Sequence, residues 1–222
     1  MTSGTRILSE TPVDEAAGDG LVVALTFDDG PNGALTDALL DMLRARGIRA
    51  VFCVIGECIL APGGAELLRR IVAEGHALAN HSTSFADMGD WEPAQIESDL
   101  RENLAIMREA LDDPHAAVPF FRAPNGSWGR TAEVAVALGM QPLAVTGTID
   151  DWRTQDVAVL TENLRSAVRP GGLLLAHDGG GDRGGTLAAV TVVVDELLAA
   201  GWRFTLPIGA EHHAEPDSDP EE

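Results

Sequence analysis

The sequence predicts an α/β fold on a parallel sheet, either a (β/α) barrel or a doubly wound sheet. Three observations lead there. Seven short apolar runs recur along the chain, with helix-like stretches between them. The 222 residues are 45% apolar, enough for one sizeable core and a single domain. Most of the apolar runs end in polar, chemistry-bearing residues, and in parallel α/β folds the C-terminal rim of the strands is where sites assemble. At about 32 residues per strand–helix unit the chain is short for a full eight-unit barrel.

The first run, 21–27, is continuously apolar and is closed by Asp28-Asp29-Gly30-Pro31, so it reads as a buried parallel strand. Leu39, Leu40 and Leu43 then lead to Gly47, the pattern of a helix with a glycine C-cap. The second strand is expected at 50–55. It contains Cys53, expected as a small buried thiol, with Cys58 just beyond; two cysteines complete neither a disulfide framework nor a cysteine-rich zinc site. The third strand is expected at 76–81. Pro93 sits where a first helical turn tolerates it, ahead of the stripe Ile96, Leu100, Leu104, Met107 and Leu111. Strands follow at 119–122, 142–146 and 172–177, then a second stripe, Leu187, Val190, Val194, Leu197 and Leu198, and a last strand at 202–207. The ends, 1–17 and 210–222, are acidic or proline-rich and read as disordered, leaving one domain at 18–209. His212-His213 in the tail reads as a solvated pair rather than a metal store.

The formal charge is −20 and all fifteen basic residues are arginine, which argues against nucleic acid or an anionic membrane as partner. No apolar run reaches the roughly 18 residues of a membrane span. The first six residues lack the apolar core of a secretion signal, so a cytoplasmic location is expected.

Asp28 and Asp29 close the first strand, Asn80-His81-Ser82 the third and Arg122-Ala123-Pro124-Asn125-Gly126 the fourth. Asp150-Asp151-Trp152 follows the fifth and His177-Asp178-Gly179 ends the sixth. Adjacent carboxylates resist ionising together, so Asp28-Asp29 calls for a metal, an arginine or a shared proton. Taken singly, His81, Arg122 and His177 each have a structural reading, as a satisfied histidine, a surface ion-pair partner and a turn residue. Together on one rim they point to a site.

Thr26-Phe27-Asp28-Asp29-Gly30, His81-Ser82, Arg122-Ala123-Pro124-Asn125-Gly126, Asp151-Trp152 and Leu173-Leu174-Leu175-Ala176-His177 resemble, in order, the five motifs of the polysaccharide deacetylase family, the NodB-homology group or carbohydrate esterase family four. The likeness spans residues 21–207. It implies a distorted, incomplete (β/α) barrel of about seven parallel strands and a metal-dependent hydrolase that removes N-acetyl groups from amino sugars or related small N-acylated substrates. By the same resemblance Asp29 and His81 would ligate a divalent metal, zinc first, with cobalt or nickel as alternatives. Asp28 would be the general base, held by Arg122, and His177 the general acid, oriented by Asp151. Trp152 and Leu175 would wall the acyl pocket, and Pro124, Asn125 and Gly126 would form the turn whose backbone N–H at Asn125 stabilises the oxyanion.

Three positions depart from the family pattern. Phe85 stands where a second histidine ligand is expected, four residues after His81. Two protein ligands hold a metal less firmly than three. Asp87, Ser84 or Asp90 are candidate substitutes, or the substrate completes the shell; His76, at the opposite end of its strand, is the weaker candidate. Thr148 replaces the first acid of the Asp-x-x-Asp-Trp motif, and Asn125 replaces an aromatic residue. Two other functions stay open: a sugar- or small-molecule-binding protein without turnover, and metal-free acid–base chemistry on the same scaffold.

Overall fold

The computed structural model describes residues 5–11 and 20–207. Its sheet follows the path β5-β4-β3-β2-β1-β7-β6, all pairs parallel. The strands are β1 (Val22–Gly30), β2 (Val51–Val54), β3 (Ala77–Asn80), β4 (Phe120–Phe121), β5 (Gln141–Pro142), β6 (Gly147–Thr148) and β7 (Gly172–His177). An eighth strand, β8 (Arg203–Phe204), pairs with Val22 and Val23 of β1, below the stretch that β2 occupies from Thr26 onward. The incomplete barrel is therefore present.

Strand parity sorts the side chains. Val23, Leu25, Phe27, Phe52, Val54, Leu78, Phe121, Leu174 and Ala176 face outward into the main core beneath the helices. Ala24, Val51, Cys53, Ala77, Ala79, Phe120 and Leu173 form a separate inner cluster. Successive residues of a strand point to opposite faces, so the inner columns 24-26-28, 77-79-81, 120-122 and 173-175-177 each run from apolar packing into a polar residue at the rim. Full burial of Phe27, Phe52 and Phe121 contributes about 1.5–3 kcal/mol each before entropy.

The helices are α1 (Gly33–Ala45), α2 (Gly56–Leu60), α3 (Gly64–Ala73), α4 (Pro93–Leu111), α5 (Thr131–Ala137), α6 (Val157–Ala167) and α7 (Gly184–Ala199). In α1, Leu39, Leu40 and Leu43 are buried and Gly47 beyond its end takes a left-handed φ of 64°. In α4, Pro93 follows a Glu92–Gln95 capping box, and Ile96, Leu100, Leu104 and Met107 are buried. The expected α7 stripe is offset: Val190, Val193 and Val194 are buried whereas Leu198 is 38% exposed.

Two expectations are corrected. The strand expected at 142–146 is split into β5 and β6, consecutive in sequence but at opposite edges of the sheet, so residues 143–146 bridge the barrel's gap. Leu143 N–H still donates to the Phe121 carbonyl at 2.8 Å; Ala144 N–H then turns to Leu8 and Thr146 N–H to Leu173, which carries the chain from the β4 edge to the β7 side. The N-terminal segment, expected to be disordered over 1–17, is paired over part of its length. Leu8 N–H donates to the Pro142 carbonyl at 2.8 Å, Ala144 N–H to Leu8 at 2.8 Å, and Thr11 N–H to Gly171 at 2.9 Å. Leu8 thereby joins the inner cluster. The tail expected at 210–222, with His212-His213, lies outside the described residues.

Candidate active site

Asp28 ends the inner column of β1 and is 4% exposed. Arg122, equally buried, donates through Nη1 to Asp28 Oδ1 at 2.6 Å and to Thr26 Oγ1 at 2.8 Å. Its Nε and Nη2 donate to the Leu143 and Ala144 carbonyls, so the guanidinium fork is held in one orientation. Burial alone would raise the Asp28 pKa, but Arg122, then His81 and His177, outweigh it and hold the carboxyl below its usual range.

Adjacent residues on a regular strand point to opposite faces, yet both Asp28 and Asp29 lie beside His81. A β-bulge resolves this. The β1–β2 register pairs Asp28 with Cys53 but Gly30 with Val54, so Asp29 is the extra residue. Its φ of 73° is left-handed, a conformation Asp tolerates better than most residues. Gly179 packs against this bulge so closely that a Cβ would overlap the Asp29 carbonyl. Asp178 and Gly179 N–H groups both donate to the Asp28 carbonyl, at 3.1 and 3.3 Å.

His81 continues β3 and is 3% exposed. Its Nδ1 lies 2.8 Å from the Arg122 carbonyl, which can only accept, so Nδ1 carries the proton and Nε2 presents its lone pair. Nε2 lies 3.5 Å from Asp29 Oδ1 and 3.7 Å from Asp28 Oδ2. A separation near 3.5 Å suits two ligands on one ion at about 2.1 Å each. Asp29 and His81 therefore fit a divalent metal as a pair, while Asp28 is committed to Arg122. Among the described residues no group of three His, Cys, Asp or Glu side chains is arranged to hold a metal. Neither Asp87, which accepts from Gly89 N–H at 2.9 Å, nor Asp90 completes such a group. His76, the weaker candidate, is far down β3, accepting from Ala50 N–H, and burial lowers its pKa to about 4.

On the other side of Asp28, His177 ends β7. Asp151 accepts from His177 Nδ1 at 2.7 Å and from His177 N–H at 2.8 Å, and Thr186 Oγ1 donates to the same carboxylate at 2.9 Å. Burial lowers the His177 pKa, but Asp151, then Asp28, reverse this and raise it. Asp151 is shifted down despite its burial, chiefly by the His177 hydrogen bond. Trp152, 51% exposed, stands edge-on to the His177 ring at 5.5 Å, and Leu175 is half-buried on the inner face of β7. Pro124–Gly126 forms a 3-10 turn with Asn125 at φ 57°, and Asn125 Nδ2 reaches the Phe85 carbonyl at 3.4 Å.

The structure thus gathers Asp28, Asp29, His81, Arg122, Asp151 and His177 at one end of the barrel. A profile of the Polysaccharide deacetylase family matches residues 16–143. The chain belongs to the polysaccharide deacetylase family. A chitooligosaccharide deacetylase from Rhizobium leguminosarum bv. trifolii is 32% identical over 209 residues, covering 88% of this chain and 94% of the relative. The Bc1960 peptidoglycan N-acetylglucosamine deacetylase superposes with a TM-score of 0.78 at 25% identity, covering 89% of this chain and 88% of that one. A family 4 acetyl xylan esterase from Clostridium thermocellum, in complex with a cobalt ion, superposes with a TM-score of 0.73 at 28% identity, covering 83% and 87%. The expected deacetylase class agrees with this membership.

Sequence reasoning missed Thr186 and Arg183. Arg183 donates to the carbonyls of Gly179 and Asp151, tying the loop after β7 to the loop carrying Asp151. Both lie more than 30 positions from Asp151 in no recognisable motif, so nothing local marked them.

Proposed function

We propose that this chain hydrolyses the N-acetyl group of an amino-sugar substrate, with Asp28 as general base and His177 as general acid. The observation that carries this is the division of labour across Asp28 and His177: Arg122 keeps the base ionised while Asp151 keeps the acid protonated. Asp29 and His81 would hold a divalent metal, zinc first, which when bound would polarise the acyl carbonyl and acidify water. Asp28 Oδ2, the oxygen not held by Arg122, takes the proton from the attacking water. The Asn125 backbone N–H faces the developing oxyanion. His177 Nε2, left free because Nδ1 is bound to Asp151, delivers a proton to the leaving amine. Trp152 and Leu175 close around the acyl methyl. The names of the relatives support an N-acetylated amino sugar as substrate.

The test is acetate release from N-acetylglucosamine oligomers by the full chain, supplied with zinc, cobalt or nickel and compared with a chelated sample. Acetate that appears only with metal, and is lost in Asp28→Asn, supports the reading. Its absence with every metal and oligomer would sink it. A second reading, sugar binding without turnover, is favoured by one observation, the two-donor metal set with Phe85 at the third position.

A further inference from the structure

Strand parity turns His81 into the barrel and Asn80, one residue earlier, outward beneath α4. Asn80 Nδ2 donates to the Leu100 carbonyl at 2.9 Å, and Asn80 Oδ1 accepts from Ser82 N–H at 3.0 Å. Ser82 is fully buried with a φ of 75°, a left-handed conformation that a serine keeps only where its surroundings hold it. The backbone therefore bends sharply one residue after His81.

Two polar side chains on α4 hold that bend. The buried stripe of α4 is apolar at Ile96, Leu100, Leu104 and Met107, yet Asp99 and Asn103, one turn apart, are buried with it. Asn103 Nδ2 donates to Asn80 Oδ1 at 2.8 Å and to the Val54 carbonyl at 3.3 Å. That carbonyl also accepts from His81 N–H at 3.1 Å. Asp99 accepts from Thr83 N–H at 3.2 Å and from Thr83 Oγ1. From the other side, the Gly56 and Glu57 N–H groups donate to the Ser82 and Thr83 carbonyls at 3.1 and 2.9 Å. Ser82 Oγ and Asn103 Oδ1 are buried without a hydrogen-bond partner among the described residues. Packing alone favours leucine at both helix positions, because a buried amide or carboxylate costs free energy that an apolar side chain does not. The polar pair and the strained serine together mark a constraint on where His81 stands.

We propose that Asn103 and Asp99 are positioning residues for His81: they lock the left-handed turn at Ser82 and so fix the end of β3 from which the His81 ring faces Asp29. The inference rests on the metal-holding role given to Asp29 and His81 above and deepens it. His81 Nδ1 meets the Arg122 carbonyl, and Nε2 stands 3.5 Å from Asp29 Oδ1, because the backbone at 80–82 is kept in place.

The experiment compares the full chain with Asn103→Leu, Asp99→Ala, Asp99→Asn, and Asn103→Leu combined with Ser82→Gly. Zinc affinity is measured by titrating chelated protein. The ring-nitrogen NMR shifts of His81, recorded before zinc is added, report its tautomer without any metal, and the amide signals of β1 and β7 show whether the fold is kept. Asn103→Leu and Asp99→Ala are expected to weaken zinc binding about tenfold and to replace the single Nδ1–H form of His81 by a mixture. Asp99→Asn keeps an acceptor for Thr83 N–H and is expected to bind zinc like the native chain. Glycine takes the left-handed turn without steric cost, so Ser82→Gly is expected to recover most of the loss in Asn103→Leu. Unchanged His81 signals in both Asn103→Leu and Asp99→Ala overturn the inference. So does a loss that neither Asp99→Asn nor Ser82→Gly avoids, since that is a purely structural effect. If Asn103→Leu does not fold, the two Asp99 variants decide. A native chain that binds no zinc while His81 still responds sinks the metal role and leaves the positioning standing. Zinc binding and acetate release with His81 indifferent to both variants do the reverse.

Discussion

Asp28 and His177 are register partners on the adjacent parallel strands β1 and β7, and both continue the inward face of the barrel. Their separate partners push them to opposite protonation states within one strand spacing. Arg122 serves the base from β4's end, and Asp151 serves the acid from the loop after β6.

Removing Arg122 isolates a buried carboxylate. Arg122→Ala is expected to destabilise the fold by about 3–5 kcal/mol in urea unfolding, because Asp28 is left charged and unpaired. The Asp28 pKa should rise in the same variant, moving the acidic limb of the activity profile to higher pH. An unchanged unfolding midpoint would contradict the role given to the pair.

The pH dependence of stability follows from the shifts. His177 is raised, so its contribution is full below roughly 6.5 and is lost as pH climbs through its folded value. Asp28 and Asp151 are lowered, so theirs is present above roughly 3.9 and is lost as pH falls through their folded values. In Asp151→Asn the His177 titration, followed by NMR, should move to lower pH, and the alkaline loss of activity should move with it.

Metal retention is expected to be weak but real. Elemental mass spectrometry after zinc loading should find metal in the native chain that is lost in Asp29→Ala. Phe85→His, which restores the histidine the family pattern places there, should tighten retention by about tenfold or more. No gain would mean that position 85 does not face Asp29 and His81 closely enough to ligate.

Gly179→Ala tests the bulge. The new methyl would meet the Asp29 carbonyl, so the loop after β7 or the bulge must move, at a cost of about 1–3 kcal/mol. Zinc retention should fall along with stability; stability alone falling would place the strain elsewhere.

Thr186→Val removes one donor to Asp151. A loss of about 1 kcal/mol is expected, with kcat reduced several-fold and KM little changed, since Thr186 is buried and its hydroxyl meets Asp151 and Gln155. A change confined to KM would show that the residue meets substrate instead.

Much of the molecule is legible in the chain itself. The apolar runs set the strands because buried parallel strands need near-continuous apolar sequence, and the run at 172–177 coincides with β7 residue for residue. The motif residues at the strand ends are the ones gathered at the rim, since strand parity carries inner columns such as 24-26-28 and 173-175-177 to the same face.

The tertiary structure decided the rest. Two adjacent aspartates can serve one cleft only through the bulge at Asp29, which depends on pairing with β2 and on the close approach of Gly179. The His81 tautomer is set by the Arg122 carbonyl, 41 residues away in sequence, and Asp151 gains a third donor from Thr186, 35 away. The split of β5 from β6 and the insertion of Leu8 into the barrel reflect the need to cover an open sheet edge. Local sequence sets which residues prefer strand, helix or turn; long-range pairing sets which of them meet.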